Sequence, residues 1–111
     1  MELLTEQEGK RLILNLNGRI DTLASQRFET EMTKIIEKGE TDLVADCSQL
    51  EYVSSSALRV FLVTLKSLKR KNGQFVLFGL QPQIREVFDI SGFLDLFQVF
   101  DDRKEALGVI D

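Results

Sequence analysis

Three consecutive hydroxyls, Ser54-Ser55-Ser56, stand directly before the longest amphipathic pattern in the chain, with Tyr52-Val53 ahead of them and Ala57-Leu58 behind. A serine oxygen at a helix start accepts a hydrogen bond from an orphan first-turn amide, so Ser54 or Ser55 is the expected N-cap. A hydroxyl at such a junction is exposed and faces the positive end of the helix dipole. An anion is favoured there, including a phosphate carried by the hydroxyl itself. Capping a helix and filling a loop would by themselves account for the three serines. Nucleophilic catalysis has little to work with: histidine is absent, and a Ser-Lys pair stays open only through a lysine distant in sequence, since none has an obvious local relation to the serines. Asp21 and Asp46 are the carboxylates that loop positions could bring together, to bind a metal or a nucleotide, although each is equally explained as a helix cap or a strand end. Gly79 and Gly92 stand alone, so no glycine-rich phosphate loop is present. Arg59, one helical turn beyond Ser56, is placed to pair with a phosphate or to be solvated.

These residues need elements to position them. Before the serines, Leu43-Val44-Ala45 reads as a strand buried on both faces; after them, Leu58, Phe61, Leu62, Leu65 and Leu68 recur at helical spacing, out to about Lys71. At the amino end, Leu3 to Thr5 and Leu12 to Leu16 form two strands around the polar turn Gln7-Glu8-Gly9-Lys10. Gly18 and Asp21 end that pattern. A helix from about Leu23 to Lys38, capped by Asp21 or Thr22 and stopped by Gly39, carries Phe28, Met32, Ile35 and Ile36. Past Asn72-Gly73 come a buried strand at Phe75 to Phe78, a helix opened by Pro82 and carrying Ile84, Val87 and Phe88, a short strand at Phe97 to Phe100, and a last helix from about Asp102 to Val109. The six phenylalanines from Phe75 to Phe100 are core residues. Hairpin first, then strand and helix in alternation, is an α/β pattern: a mostly parallel sheet with right-handed helical crossovers and an antiparallel edge strand. The carboxyl ends of its strands would gather the Asp21 loop, the serine loop with Asp46, and the loop from Gly79 to Gln83 along one edge.

Composition excludes several classes. A chain of 111 residues, 43% hydrophobic and 29% charged, can bury one core and reads as a single domain, 1–111. A net charge of -4 and a pI near 4.9 argue against nucleic acid, which needs a basic face. The basic cluster Lys66, Lys69, Arg70 and Lys71 suits a helix carboxyl terminus. The single cysteine, Cys47, excludes an intramolecular disulfide and a Cys/His zinc site and reads as a small buried hydrophobe. No signal peptide and no membrane-spanning run is present, so the expected location is cytoplasmic, with no direct membrane insertion.

Four segments in order give the chain a family resemblance: Gly18-Arg19-Ile20-Asp21, Leu43-Val44-Ala45-Asp46-Cys47-Ser48, Tyr52-Val53-Ser54-Ser55-Ser56-Ala57-Leu58, and Val87-Phe88-Asp89-Ile90-Ser91-Gly92-Phe93. They resemble the Gly-x-(Leu/Ile)-Asp turn, the Asp-Leu-Ser strand end, the Asp-Ser-(Ser/Ala)-Gly-Leu phosphorylation loop and the Phe-x-x-Ser-Gly-(Leu/Phe) segment of the STAS domain family, the bacterial anti-sigma-factor antagonists. The resemblance implies the STAS fold, a mixed, mostly parallel sheet of about four to five strands with about four helices. It also implies a non-enzymatic switch without cofactor or metal. Such a protein binds an anti-sigma factor that is also a serine kinase and so frees a sigma factor; phosphorylation ends the interaction, and a PP2C-type phosphatase restores it. Carried across, the acceptor is Ser56, with Ser55 as the alternative, and the partner-binding set is Asp21, Ser54, Ser55, Ser56, Ala57 and Arg59. Ser54 stands where phosphorylated members carry aspartate, and Ala57 where they carry glycine. The other reading the resemblance supports is a STAS domain that is never phosphorylated, a scaffold or a subunit of another complex such as a lipid transporter.

Overall fold

The computed structural model describes residues 1–110, and the side chains of residues 1–108. A hairpin of β1 (Glu2–Glu8) and β2 (Arg11–Ile20) is followed by α1 (Thr22–Glu37), β3 (Asp42–Asp46), β4 (Leu50–Val53), α2 (Ser55–Arg70), β5 (Gln74–Phe78) and α3 (Pro82–Ile90). A single 3-10 turn, Phe93–Asp95, then leads to β6 (Gln98–Phe100) and α4 (Arg103–Ile110). The sheet has six strands, in the order β1-β2-β3-β5-β6 with β4 branching from β2. It therefore exceeds the four to five expected, because β4 lies within what reads as loop. Only β1 runs antiparallel to its neighbour.

The branch exists because β2 outruns β3. Residues Leu12 to Asn15 pair with Leu43 to Asp46; beyond them Gly18, Arg19 and Ile20 pair with Leu50, Tyr52 and Val53 of β4, with a register shift at Gly18/Arg19. Gly18 does not break the strand. Its φ of +87° is open to glycine without a Cβ clash, so it forms a bulge that turns the strand toward a second partner.

One face of the sheet carries the main core. Leu12, Leu14, Leu16, Leu43, Ala45, Phe75 and Leu77 pack there against the helices, and Phe61 of α2 is the hub of an aromatic cluster, 5.1 Å from Phe28, 5.5 Å from Phe88 and 6.0 Å from Phe75 between ring centroids. The buried stripe of α2 is Ala57, Val60, Phe61, Thr64, Leu65 and Leu68; Leu58 and Leu62 are only half-buried. α1 lies alongside α2, and this turns the buried stripe toward the small residues and away from two of the expected leucines. Of the six phenylalanines expected in the core, Phe93 and Phe100 are half-buried. Cys47 is fully buried.

The opposite face presents Ile13, Val44, Val76 and Phe78, which α4 covers through Ala106 and Leu107. Two arginines tether that helix. The Arg103 guanidinium bridges the carboxylates of Glu6, at 3.0 Å, and Glu8, and Arg11 donates to the Leu107 carbonyl at 2.6 Å.

Candidate functional site

The β2–β4 ladder continues one step past its last strand pair: Ile20 is opposite Val53, and the Ser54 amide donates to the Ile20 carbonyl at 2.9 Å. The next residue on each strand is a helix cap. The Asp21 carboxylate accepts from the Ala24 amide at 2.8 Å, and the Ser54 hydroxyl accepts from the Ala57 amide at 3.1 Å. Two parallel strands thus launch α1 and α2 side by side, and the positive ends of both helix dipoles meet at one place.

The three serines divide the work there. Ser54 is 6% exposed and committed to its cap. Ser55, the first residue of α2, is exposed, and Ser56 is half-buried, its hydroxyl 3.4 Å from that of Ser54. Ser56 lines a groove of about 210 Å³ between α1 and α2, whose other walls include Arg59 and Val60 from its own helix and Thr22, Ser25 and Glu29 from α1. Arg59 is exposed and has no ion-pair partner among the described residues. Asp21 is exposed. Ala57 is fully buried, so its methyl cannot reach a partner. Its place in the site is the backbone amide that Ser54 caps.

The α1 wall was missed in the sequence, although its signal is present. Thr22, Ser25 and Glu29 follow the i, i+3, i+7 spacing of one helix face, and Ser25 is 4% exposed with its hydroxyl donating to the Thr22 carbonyl at 2.6 Å. Beside the groove, Arg19 lies over the Tyr52 ring at 4.3 Å, a contact set by their pairing across β2 and β4. Leu23, in the first turn of α1, is 77% exposed.

The expected gathering of Asp21, Asp46 and the Gly79 loop along one edge is only half realised. Asp46 pairs with Asn15, six residues short of Asp21, which at ~3.3 Å per strand residue places Asp21 roughly 20 Å further along. The long β2 separates the two aspartates. Asp46 instead closes a local turn, accepting from the Ser48 amide at 3.0 Å and the Ser48 hydroxyl at 2.7 Å. Gln81 of the Gly79 loop joins it by donating to the Ser48 carbonyl at 2.8 Å. A metal or nucleotide held by Asp21 and Asp46 together is therefore ruled out by position, and among the described residues no cluster of three His, Cys, Asp or Glu could hold a metal.

The STAS domain family model matches residues 2–106. The chain belongs to the STAS domain family. BtrV of Bordetella bronchiseptica, named as an anti-sigma factor antagonist, is 39% identical over 106 residues, which span 96% of this STAS domain and 91% of the relative. The anti-sigma F factor antagonist of Paenibacillus polymyxa is 27% identical over 110 residues, 96% of this chain and 94% of its own. Among solved structures, unphosphorylated SpoIIAA superposes with a TM-score of 0.85 at 21% identity, covering 98% of this chain and 96% of that one. Phosphorylated SpoIIAA of Bacillus gives 0.77 at 20%, covering 99% and 100%. At these identities the superpositions establish the STAS fold. Among the described residues no helix is long and apolar enough to cross a membrane.

Proposed function

We propose that this STAS domain is a cytoplasmic, non-enzymatic anti-sigma-factor antagonist that binds an anti-sigma factor with serine-kinase activity and is switched off by phosphorylation of Ser56. The observation that carries the reading is the placement of Ser56: a reachable hydroxyl in the first turn of α2, beside the start of α1, on a chain whose relatives are named for this activity. Partner binding covers a neutral hydroxyl. A phosphate there adds about -1.5 to -2 charges and three acceptor oxygens, and the helix dipoles with Arg59 hold it on the domain. The partner then meets charge where it had a neutral contact, and Asp21 beside the site adds to the repulsion. Dephosphorylation by a PP2C-type phosphatase restores the neutral surface.

The test is capture of the bound partner from the host, with the phosphosite of the bait read by mass spectrometry from bound and free fractions. Phosphate on Ser56 only in the free fraction, a kinase-like anti-sigma factor in the bound one, and at least tenfold weaker binding by Ser56→Asp are expected. Ser55→Ala should leave phosphate incorporation intact; its loss would move the acceptor to Ser55. Unchanged affinity of Ser56→Asp sinks the switch. One observation favours a second reading, a domain never phosphorylated that serves as scaffold or as a subunit of another complex: Ser56 is half-buried in its groove. An unmodified bait in both fractions, bound to a membrane or transporter subunit, is the result that reading requires.

A further inference from the structure

At the opposite end of α2 the sheet leaves a slot. β5 pairs with β3 from Gln74 onward, but its pairing with β6 begins only at Val76 opposite Gln98. The ladder with β6 therefore starts two residues into β5, and ahead of it the chain turns at Leu96. The last turns of α2 flank the gap and leave a partly open cavity of about 180 Å³. Its apolar walls are Leu65, Phe75 and Leu96, and Lys69 is the one charged residue that lines it. Leu96 is 48% exposed, an uncovered apolar wall.

The slot holds a second donor. In a parallel strand the amides of alternate residues point to opposite neighbours. The Gln74 amide bonds the Thr41 carbonyl on the β3 side, and the Gly79 amide bonds the Phe100 carbonyl on the β6 side. Phe75 shares the direction of Gly79, so its N–H faces the slot, ahead of the first ladder pair with β6. Lys69 has no ion-pair partner among the described residues. At the end of α2 the Leu68 and Lys69 carbonyls, which would oppose an anion, are engaged by the amides of Lys71, Asn72 and Gly73, and Lys66, Arg70 and Lys71 on the same turns are exposed. Asp95 precedes Leu96 and Asp42 pairs with Gln74, but neither lines the cavity.

We propose that this slot is a binding site for a small monocarboxylate with a short apolar tail, the tail between Leu65, Phe75 and Leu96 and the carboxylate on Lys69 and the Phe75 amide. The volume restricts the ligand to a small molecule, and Lys69 selects its charge. An apolar protein cavity of about 150 Å³ holds benzene, whereas nucleotides and drug-sized ligands occupy about 300 Å³ or more. The site lies at the far end of α2 from Ser56 and does not depend on the switch.

Benzoate and hexanoate, titrated into the 15N-labelled protein and read by amide chemical shifts, provide the test, with benzyl alcohol and hexanol as uncharged controls. The expected result is saturable shifts at Gly73, Phe75 and Leu96 with a Kd on the order of 1 mM, at least tenfold weaker binding of the alcohols, and a similar loss in Lys69→Gln. Lys66→Gln should stay within about twofold, since Lys66 does not line the cavity. No saturation by about 20 mM acid overturns the proposal, as do alcohols binding as well as acids, shifts centred on Ser56, or undiminished binding by Lys69→Gln.

Discussion

Replacing Ser54 by alanine removes one oxygen from the place where fold and site share an atom. The lost bond is the 3.1 Å cap from the Ala57 amide. N-cap serine to alanine costs about 0.5–2 kcal/mol, typically about 1. The upper end applies here, because Ala57 is fully buried and Ser54 is 6% exposed, so water cannot readily take the vacated position and the amide bears the ~1–3 kcal/mol of an unsatisfied buried donor. A loss of about 2 kcal/mol is expected. With a urea slope of about 1.5 kcal/mol per M, the unfolding midpoint should fall by about 1.3 M with the slope unchanged. Ser54→Asp should lose less than half as much, because a carboxylate accepts the same amide and suits the positive end of α2. Serine and aspartate can both cap a helix, so the capping function alone does not require the aspartate of the family pattern. A midpoint shift below about 0.2 M in Ser54→Ala, or Ser54→Asp no better than alanine, would refute the argument that the cap, rather than the phosphate chemistry, dictates this position.

Three further outcomes follow from the packing. A Cβ at Gly73 would sit 2.1 Å from the Thr41 carbonyl oxygen, so Gly73→Ala must push the end of α2 from β3 and should cost about 2–3 kcal/mol by urea unfolding, without loss of the cap at the other end. Arg103→Ala breaks both bridges to Glu6 and Glu8, but that side chain is 39% exposed, so no more than about 1 kcal/mol should be lost at low salt, and less in about 1 M salt. Burial, with help from the Asp46 carboxylate, pushes the Cys47 thiol up from its ordinary 9.0. The unfolded chain therefore releases this proton at lower pH than the folded one; the stability increment is full below the unfolded pKa and falls above about pH 9 by up to about 1.4 kcal/mol per pH unit. Cys47→Ala should flatten that part of the profile, and a parallel decline in both proteins would count against it.

Most elements are legible in the sequence because their periodicity is carried by large side chains: the Leu12, Leu14, Leu16 alternation of β2, the Phe28, Met32, Ile35 stripe of α1, the apolar run of β3. What escapes is where position is set by backbone or by small residues. β4 has four residues, and its two exposed ones, Glu51 and Tyr52, are adjacent, so no alternation marks it. Gly18 reads as a stop because glycine usually is one; only the presence of a second strand makes a bulge profitable. The stripe of α2 is rotated by less than a quarter of a turn from the expected one, because Ala57 and Thr64, small enough to lie under α1, carry little hydrophobic signal. For the candidate site, Ser54 as cap and Asp21 as cap could be read from residue type and context. That Asp21 meets the serines and not Asp46 could not, because it depends on how far β2 extends beyond β3.

The paired launch of α1 and α2 has a consequence for how such a surface can diversify. The bond from the Ser54 amide to the Ile20 carbonyl, and the ladder behind it, are indifferent to side-chain identity, so the two helix starts hold their spacing whatever residues they display. Exposed positions such as Ser55, Leu23 and Arg59 can then be exchanged one at a time without moving the frame. Such a domain can thereby change the partner it recognises while the two helix starts stay where they are.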